Sequence, residues 1–180
     1  GFGKSHYEPG TMDLYMGTSS GPKITRGVQW LRQAYTTSQQ AQSRLPSAGL
    51  PGANEPKIYL SGFSRGGASI LCIAHELQKF GIPVECMYIF DAVDRSTSMN
   101  NAHTRVVPGN VRQAFHALRC PSAGSRHTFG NCGLEGTKGN LSKKHFKTTH
   151  GGVGGWENGA SRVKPGIGKE DYAYAIGPMG

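Results

Sequence analysis

Apolar and polar residues follow one another in segments that change between strand spacing and helix spacing. Residues 12–16 alternate apolar with polar positions, which predicts a short strand. Between Ile24 and Tyr35 apolar residues recur at spacings of four, three and four, which predicts a helix over roughly 23–36. Residues 44–56 are rich in Pro and Gly and are typical of a surface connection.

A strand, a sharp turn and a helix are predicted next. Residues 57–60 are β-formers, and they lead into Gly-Phe-Ser-Arg-Gly at 62–66. A helical stripe of apolar residues then continues to Phe80. Gly81 stands where a C-terminal cap is expected, and Pro83 prevents the helix from continuing.

The second half of the chain begins with a strongly apolar segment. Residues 84–90 form a nearly continuous apolar run, as in a strand that is buried on both faces of a parallel sheet. Residues 108–110 predict a turn and an N-cap, and helical spacing over 111–118 predicts a second amphipathic helix. Residues 145–149 predict a short final strand.

The alternation of strands and helices predicts an α/β domain with a mainly parallel sheet. Ligands of such sheets bind at the carboxyl ends of the strands. Ser64, Asp91 and His150 each follow a predicted strand end. We therefore expect these three side chains to meet at one edge of the sheet.

Length and charge narrow the class of protein. The 180 residues suit a single domain, 1–180. There is no apolar run near the length of a membrane-spanning helix, so none is predicted. The net charge of +9 favours anionic partners such as phospholipid headgroups, nucleic acid or an acidic protein.

Ser64 is the candidate nucleophile. It is the central residue of a G-x-S-x-G pattern that has the required strand before it and helix after it. Small residues at 62 and 66 would let the strand and helix pass closely, so that the hydroxyl projects above the sheet. The backbone N–H of Arg65 would lie at the helix N-terminus, where it can stabilise an oxyanion. The alternative is an ordinary Ser N-cap in a Gly-rich turn.

A serine hydroxyl needs a general base, and seven His compete for that role. His150 alone opens a Gly-rich loop at a predicted strand end, so it is the candidate base. The remaining His are placed before the first strand, inside predicted helices, in polar connections or in the last strand: His6, His75, His116, His103, His127 and His145.

A carboxylate must orient the imidazole and stabilise its charged form. Asp91 directly ends the most apolar strand, and the chain order Ser64, Asp91, His150 is the order expected of α/β-hydrolases. Asp94 is the rival acid, with a turn cap or an ion pair with Arg95 as its alternative role.

The four cysteines form no C-x-x-C pair, so a zinc site is not predicted. No other metal and no cofactor is expected either. Cys72 and Cys86 fall in a predicted helix and strand and are expected to be buried thiols. Cys120 and Cys132 flank a loop, where a disulfide between them is an open alternative.

At these motifs the chain resembles an uncharacterised α/β-hydrolase domain family that is related to phospholipase effectors of bacterial type VI secretion. The resemblance covers residues 12–156 and is carried by Gly-Phe-Ser-Arg-Gly-Gly at 62–67, Phe-Asp-Ala-Val at 90–93 and His-Gly-Gly-Val-Gly-Gly at 150–155. Residues 110–118 are similar to the family's helix before the histidine strand.

This resemblance implies an α/β-hydrolase-like three-layer sandwich whose triad is Ser64, Asp91 and His150. It implies hydrolysis of phospholipid acyl esters by an antibacterial effector that is secreted to a target-cell envelope. The implied partners are a lipid or other acyl-ester substrate, an anionic membrane surface, and an immunity or secretion-carrier protein.

Two departures from the family pattern qualify the resemblance. Gly152 replaces an acidic residue near the candidate histidine. The family's first strand and its Asp-Gly-Thr loop have no clear counterpart before residue 12, so we expect a sheet without that strand or a chain that is a fragment. Gly1-Phe2-Gly3 is an alternative source of an oxyanion donor.

Other classes of function are less well supported. Gly3-Lys4-Ser5 resembles the end of a phosphate-binding loop but lacks the earlier Gly and the strand. Nucleic-acid binding rests on charge alone, since no recognised motif accompanies it. A non-catalytic interaction module on a hydrolase fold, and an esterase or thioesterase for a small soluble substrate, remain the alternatives.

Overall fold

The computed structural model describes residues 20–43, 55–94, 101–120 and 130–155, together with residues 4, 6 and 7. The first half contains two long helices and two strands: α1 (Ser20–Ser43), β1 (Tyr59–Phe63), α2 (Arg65–Lys79) and β2 (Val84–Phe90). The second half contains short helices and four strands: α3 (Asn101–Arg105), β3 (Val106–Val107), β4 (Val111–Arg119), β5 (Glu135–Gly136), β6 (Leu141–Phe146) and α4 (His150–Val153).

The main sheet is all-parallel and has the strand order β1-β2-β4-β6. Leu60, Met87, Ala114 and Leu141 lie side by side across the four strands and mark their common register. A separate pair of short strands, β3 and β5, is also parallel. Because all four main strands point the same way, their carboxyl ends lie at one edge, as the sequence predicted.

Helices cover one face of the main sheet. Leu71, Ala74 and Leu77 of α2 are fully buried, and they join Met87 and Ile89 of β2 in the core. α1 packs on α2 and adds its own apolar residues to the same core. The two segments are stable as helices because the apolar side chains on one face of each are buried in this core.

Aromatic side chains occupy the other face. Tyr59, Tyr88 and Phe115 are among the exposed large side chains of the described residues. The rings of Tyr88 and Phe115 are stacked with their centroids 5.9 Å apart. They are cross-strand neighbours, since the two residues are register partners in β2 and β4.

The predicted helix over 111–118 was wrong, because this segment is strand β4. Its residues alternate with a period of two: Ala114, His116 and Leu118 are buried, while Phe115 is exposed. Val111, Phe115 and Leu118 also fit helical spacing, so the pattern was ambiguous. Hydrogen-bonded neighbours on both sides, β2 and β6, favour the strand, and tertiary context overrides local propensity.

The other predicted elements differ mainly in their bounds. α1 extends beyond 23–36 at both ends, and β1 begins two residues later than 57–60. The final strand was misplaced, because β6 spans Leu141–Phe146 rather than 145–149. The strand predicted over 12–16 lies outside the described residues, as do residues 44–54 of the predicted connection.

The cysteines are all unbridged. Cys72 and Cys86 are buried in α2 and β2, as predicted, while Cys120 and Cys132 form no disulfide. Burial raises the pKa of the Cys132 thiol to about 12, which keeps it protonated. No helix in the described part of the chain combines the length and the apolar character needed to cross a membrane.

Candidate active site

Ser64 stands alone between β1 and α2 in a strained backbone conformation. Its φ is 58° and its ψ −125°, a combination that non-Gly residues rarely adopt. Its N–H donates to the carbonyl of Phe90 at 2.9 Å, and its carbonyl accepts from the N–H of Val93 at 3.2 Å. These hydrogen bonds therefore keep the backbone of Ser64 in its strained conformation, as is common at functional positions.

Two glycines make room for this turn, and only the first of them, Gly62, belongs to the pair at 62 and 66 that the sequence pattern indicated. A Cβ at Gly62 would lie 2.4 Å from the carbonyl oxygen of Gly66, so Gly62 is required by the close approach of strand and helix. A Cβ at Gly66 would meet nothing within 4 Å. A Cβ at Gly67, by contrast, would lie 2.8 Å from the Cβ of Ala92.

Asp91 follows β2 directly and is also strained, with a φ of 42°. Its N–H donates to the carbonyl of Ala117 at 2.7 Å, which fixes the turn to β4. The side chain is fully buried. Asp91 is thus, like Ser64, a non-Gly residue held at positive φ.

His150 begins α4, four residues beyond the end of β6. Thr149 caps that helix by accepting a hydrogen bond from the N–H of Gly152 at 3.3 Å. The predicted Gly-rich loop is therefore a short helix at its start. This cap fixes the backbone from which the imidazole reaches the ends of β1 and β2.

The side chains of Ser64, His150 and Asp91 form one hydrogen-bonded chain. The His150 Nε2 lies 2.9 Å from the Ser64 Oγ, and its Nδ1 lies 2.7 Å from the Asp91 Oδ2. An ionised carboxylate only accepts, so Nδ1 carries the proton and Nε2 is the acceptor for the serine hydroxyl. This is the tautomer in which His150 can take a proton from Ser64.

The Asp91 carboxylate has further donors around it. The Asn131 side-chain amide donates to Oδ1 at 2.7 Å, and the Arg119 guanidinium donates to Oδ2. Burial alone would raise the pKa of Asp91, but hydrogen bonds from His150, Arg119 and Asn131 outweigh it and lower the pKa to about 2. Asp91 is therefore ionised throughout the neutral range.

His116 supports the same turn from within β4. Its Nε2 accepts from the N–H of Ala92 at 3.1 Å, and its Nδ1 donates to the carbonyl of Gly133 at 3.0 Å. Burial lowers the pKa of His116, so the ring is neutral and both nitrogens are satisfied. His116 holds the backbone next to Asp91 rather than facing Ser64.

The rival acid Asp94 points elsewhere, because it accepts a hydrogen bond from the Thr104 hydroxyl. The other described histidines also lie in other contacts. The rings of His75 and His103 are stacked 4.6 Å apart, and that of His6 stacks on Trp30 at 5.0 Å. His145 lies in β6, and His127 lies outside the described residues.

Arg65 is the first residue of α2, as the G-x-S-x-G pattern predicted. The N–H groups of a first helical turn have no partner within the helix, and the helix dipole adds partial positive charge there. The ring of Phe63 packs against that of His150 with centroids 4.7 Å apart. The helix N-terminus follows Ser64 directly, and the ring of Phe63 covers part of His150.

The sequence reasoning missed Arg119, Asn131 and the role of His116. Arg119 ends β4, so the same strand-end rule would have placed it beside Asp91 had 111–119 been recognised as a strand. Asn131 had no comparable signal, because it reaches Asp91 from a connection that is distant in sequence.

Comparison with known proteins adds no identification. No protein-family model matches the chain, and no curated protein sequence matches it significantly. Within the described ranges, no three His, Cys, Asp or Glu side chains group as ligands for a metal ion.

Proposed function

We propose that this chain is a serine hydrolase of the α/β-hydrolase type that cleaves acyl esters. The observation that carries the proposal is the hydrogen-bonded chain from Ser64 through His150 to Asp91. A hydroxyl, a correctly protonated imidazole and a buried carboxylate in this order are the parts that acyl transfer through a serine requires.

The mechanism proceeds in two halves. Ser64 attacks the ester carbonyl while His150 takes its proton, and Asp91 stabilises the resulting imidazolium. His150 then protonates the leaving alcohol, which leaves an acyl group on Ser64. Water attacks this acyl-enzyme with His150 again as base, which releases the acid and restores the hydroxyl.

Charge that develops on the carbonyl oxygen needs donors that are already in place. The N–H of Arg65, at the start of α2, is the donor we assign to this role. The support for this assignment is that Arg65 directly follows the nucleophile and is the first residue of α2, where a strand-to-helix serine turn provides its oxyanion donor.

The finer fold assignment is part of the proposal. An all-parallel sheet, a nucleophile on a strand-to-helix turn, and the chain order serine, acid, histidine together favour an α/β-hydrolase-like fold. The described helices α1 and α2 lie on one face of the sheet, while Tyr59, Tyr88 and Phe115 are exposed on the other, so the second helical layer of a three-layer sandwich stays a prediction. The main sheet of the described residues has four strands.

Phospholipid is the substrate class we favour, within an antibacterial effector role. The support is the motif resemblance together with the net charge of +9, which attracts anionic headgroups. A soluble ester or thioester uses the same triad, so substrate class is decided by experiment.

The test combines labelling by a fluorophosphonate probe with lipid mass spectrometry of mixed phospholipids. Wild type is expected to be labelled and to release fatty acid, whereas Ser64→Ala should do neither. Ser61→Ala is the matched control, because Ser61 is an exposed residue of β1 close to the nucleophile in sequence.

Different results would separate the alternatives. Labelling and cleavage of p-nitrophenyl acetate without release from phospholipid would replace the lipid substrate with a small soluble one. Folded wild-type protein that neither reacts with the probe nor cleaves any ester would overturn the proposed activity in favour of a non-catalytic module.

A further inference from the structure

A buried cation lies against the acid of the candidate site. Arg119 is the last residue of β4, and its side chain is 9% exposed. Its guanidinium forms an ion pair with Asp91, whose side chain is 0% exposed. Its backbone N–H also donates to the Asp91 Oδ1 at 3.3 Å. One residue thus contacts both oxygens of the carboxylate.

The guanidinium and the imidazole use the same carboxylate oxygen. His150 Nδ1 lies 2.7 Å from Oδ2, and Arg119 Nη1 donates to that same Oδ2. A carboxylate in this position normally stabilises the protonated imidazole through its negative charge. A cation on the same oxygen cancels part of that stabilisation, and water cannot screen it well at a buried site.

Three other described groups that interact with Asp91 are uncharged near neutral pH: Asn131, His116 and Cys132. Asn131 is a neutral donor to Oδ1. His116 and Cys132 both interact with Asp91 electrostatically, but burial lowers the pKa of His116 and raises the pKa of Cys132 to about 12. Both are therefore uncharged near neutral pH. Ser64, in the turn between β1 and α2, contacts His150 and is neutral as well.

We propose that Arg119 is a positioning residue that sets the pH range in which His150 acts as a base, by partly neutralising Asp91. As a statement about catalysis this rests on the proposed function. The effect of Arg119 on the protonation of His150 does not rest on it, because the imidazole and carboxylate form a pair whether or not the protein is an enzyme.

Loss of the charge has a definite sign. Without the guanidinium, the negative charge of Asp91 acts fully on His150, so the protonated imidazole forms at a higher pH. Asn131 and the backbone N–H of residue 119 still hold Oδ1, so the carboxylate keeps its orientation. In the wild-type protein the donors around Asp91 lower its pKa to about 2, so the carboxylate is ionised.

The experiment is an NMR titration of the His150 ring in wild type, Arg119→Met, Arg119→Gln and Arg119→Lys, with His150→Asn to assign the signal. Removing the charge is expected to move the titration midpoint upward by about one pH unit. Arg119→Lys keeps a positive charge beside Asp91, so its midpoint should stay close to that of wild type.

The pH profile of kcat/KM gives the second readout. The acid limb of the Met and Gln variants should move upward by the same amount, while that of the Lys variant should not. Thermal unfolding of each variant shows that it is folded, and Arg119→Gln keeps an amide donor if Arg119→Met does not fold.

The outcomes separate this proposal from the proposed function. An unchanged or lowered midpoint in the folded Met or Gln variant, or an equal shift in the Lys variant, would overturn the role of Arg119. Absence of esterase activity in the wild type would sink the proposed function alone, because the NMR midpoints still measure the effect of the cation.

Discussion

At the scale of single residues, the site depends on two strained positions joined by one imidazole. Ser64 and Asp91 both have positive φ, and each is held by a backbone hydrogen bond to a neighbouring strand end. Such conformations cost free energy that the surrounding structure must offset. These backbone conformations direct the side chains of Ser64 and Asp91 away from the sheet edge and toward His150.

Asp91→Asn should lower kcat by about 10⁴-fold, because the amide favours the wrong imidazole tautomer and cannot stabilise the charged form. Asp94→Asn is the matched control, since Asp94 bonds Thr104 rather than His150. Ester hydrolysis by the two folded variants checks this. A larger loss in Asp94→Asn than in Asp91→Asn would make Asp94 the working acid.

Asp91 should also make stability depend on acid pH. Its pKa is lowered from 3.8 to about 2 in the folded chain, so its contribution is fully present above about pH 4 and is lost as the pH falls toward 2. The full contribution is about 2 kcal/mol. Urea unfolding at several pH values checks this, with Asp91→Asn as the control. Equal acid sensitivity in both proteins would contradict the assignment to Asp91.

At the scale of elements, the junction of β1 with α2 determines how closely the helix approaches the turn after β2. Gly62 permits the close pass of the chain over itself, and Gly67 permits contact with Ala92. Gly66 lies between them but faces open space. Neighbouring glycines of one motif therefore have different structural roles.

Gly67→Ala should destabilise the fold by about 1–3 kcal/mol, because the added methyl group overlaps Ala92. Gly66→Ala should be neutral or stabilising by up to about 1 kcal/mol, since alanine is the better helix former. Denaturant unfolding of the two variants makes the comparison. Equal stability of the two variants would show that the helix moves without cost.

In the packing of α2, Leu71 is fully buried in the core. Leu71→Ala should cost about 2–5 kcal/mol through lost transfer free energy and a residual cavity. Because Leu71 lies about two helical turns beyond Ser64 along α2, the activity per folded molecule should stay near that of wild type. Chemical denaturation and active-site titration with the fluorophosphonate probe measure the two quantities separately.

At the scale of the whole molecule, the main feature is the net positive charge of the chain. The net charge of +9 is spread over the chain, with a local group at Lys143, Lys144 and Lys147. Lys143 is partly engaged, since its ammonium donates to the carbonyl of Leu134 at 2.7 Å. A surface of this kind attracts anions over a distance set by ionic strength.

The protein should therefore bind vesicles that contain anionic phospholipid and leave neutral vesicles unbound. Raising the salt from about 0.1 M to about 1 M should abolish the binding, because the screening length falls from about 10 Å to about 3 Å. Cosedimentation measures this, with Ser64→Ala used to prevent hydrolysis. Binding that persists at high salt would indicate apolar insertion instead of charge.

The sequence predicted the structure best where constraints between neighbouring residues decide it. The G-x-S-x-G segment required a turn between strand and helix, and the apolar run at 84–90 required a buried strand followed by Asp91. Both were recognisable because steric constraints and burial act on neighbouring residues. The same reasoning failed at 111–118, where the spacing of apolar residues fits a helix and a strand equally well.

What the sequence alone determined is the parallel α/β arrangement and the positions of Ser64 and Asp91 directly after β1 and β2, since the direction of parallel strands dictates which edge they reach. Only the tertiary structure decided the surroundings of Asp91. Arg119, Asn131 and His116 reach that turn from a neighbouring strand and a distant connection. Such contacts depend on register and on the packing of remote segments, which no local pattern encodes.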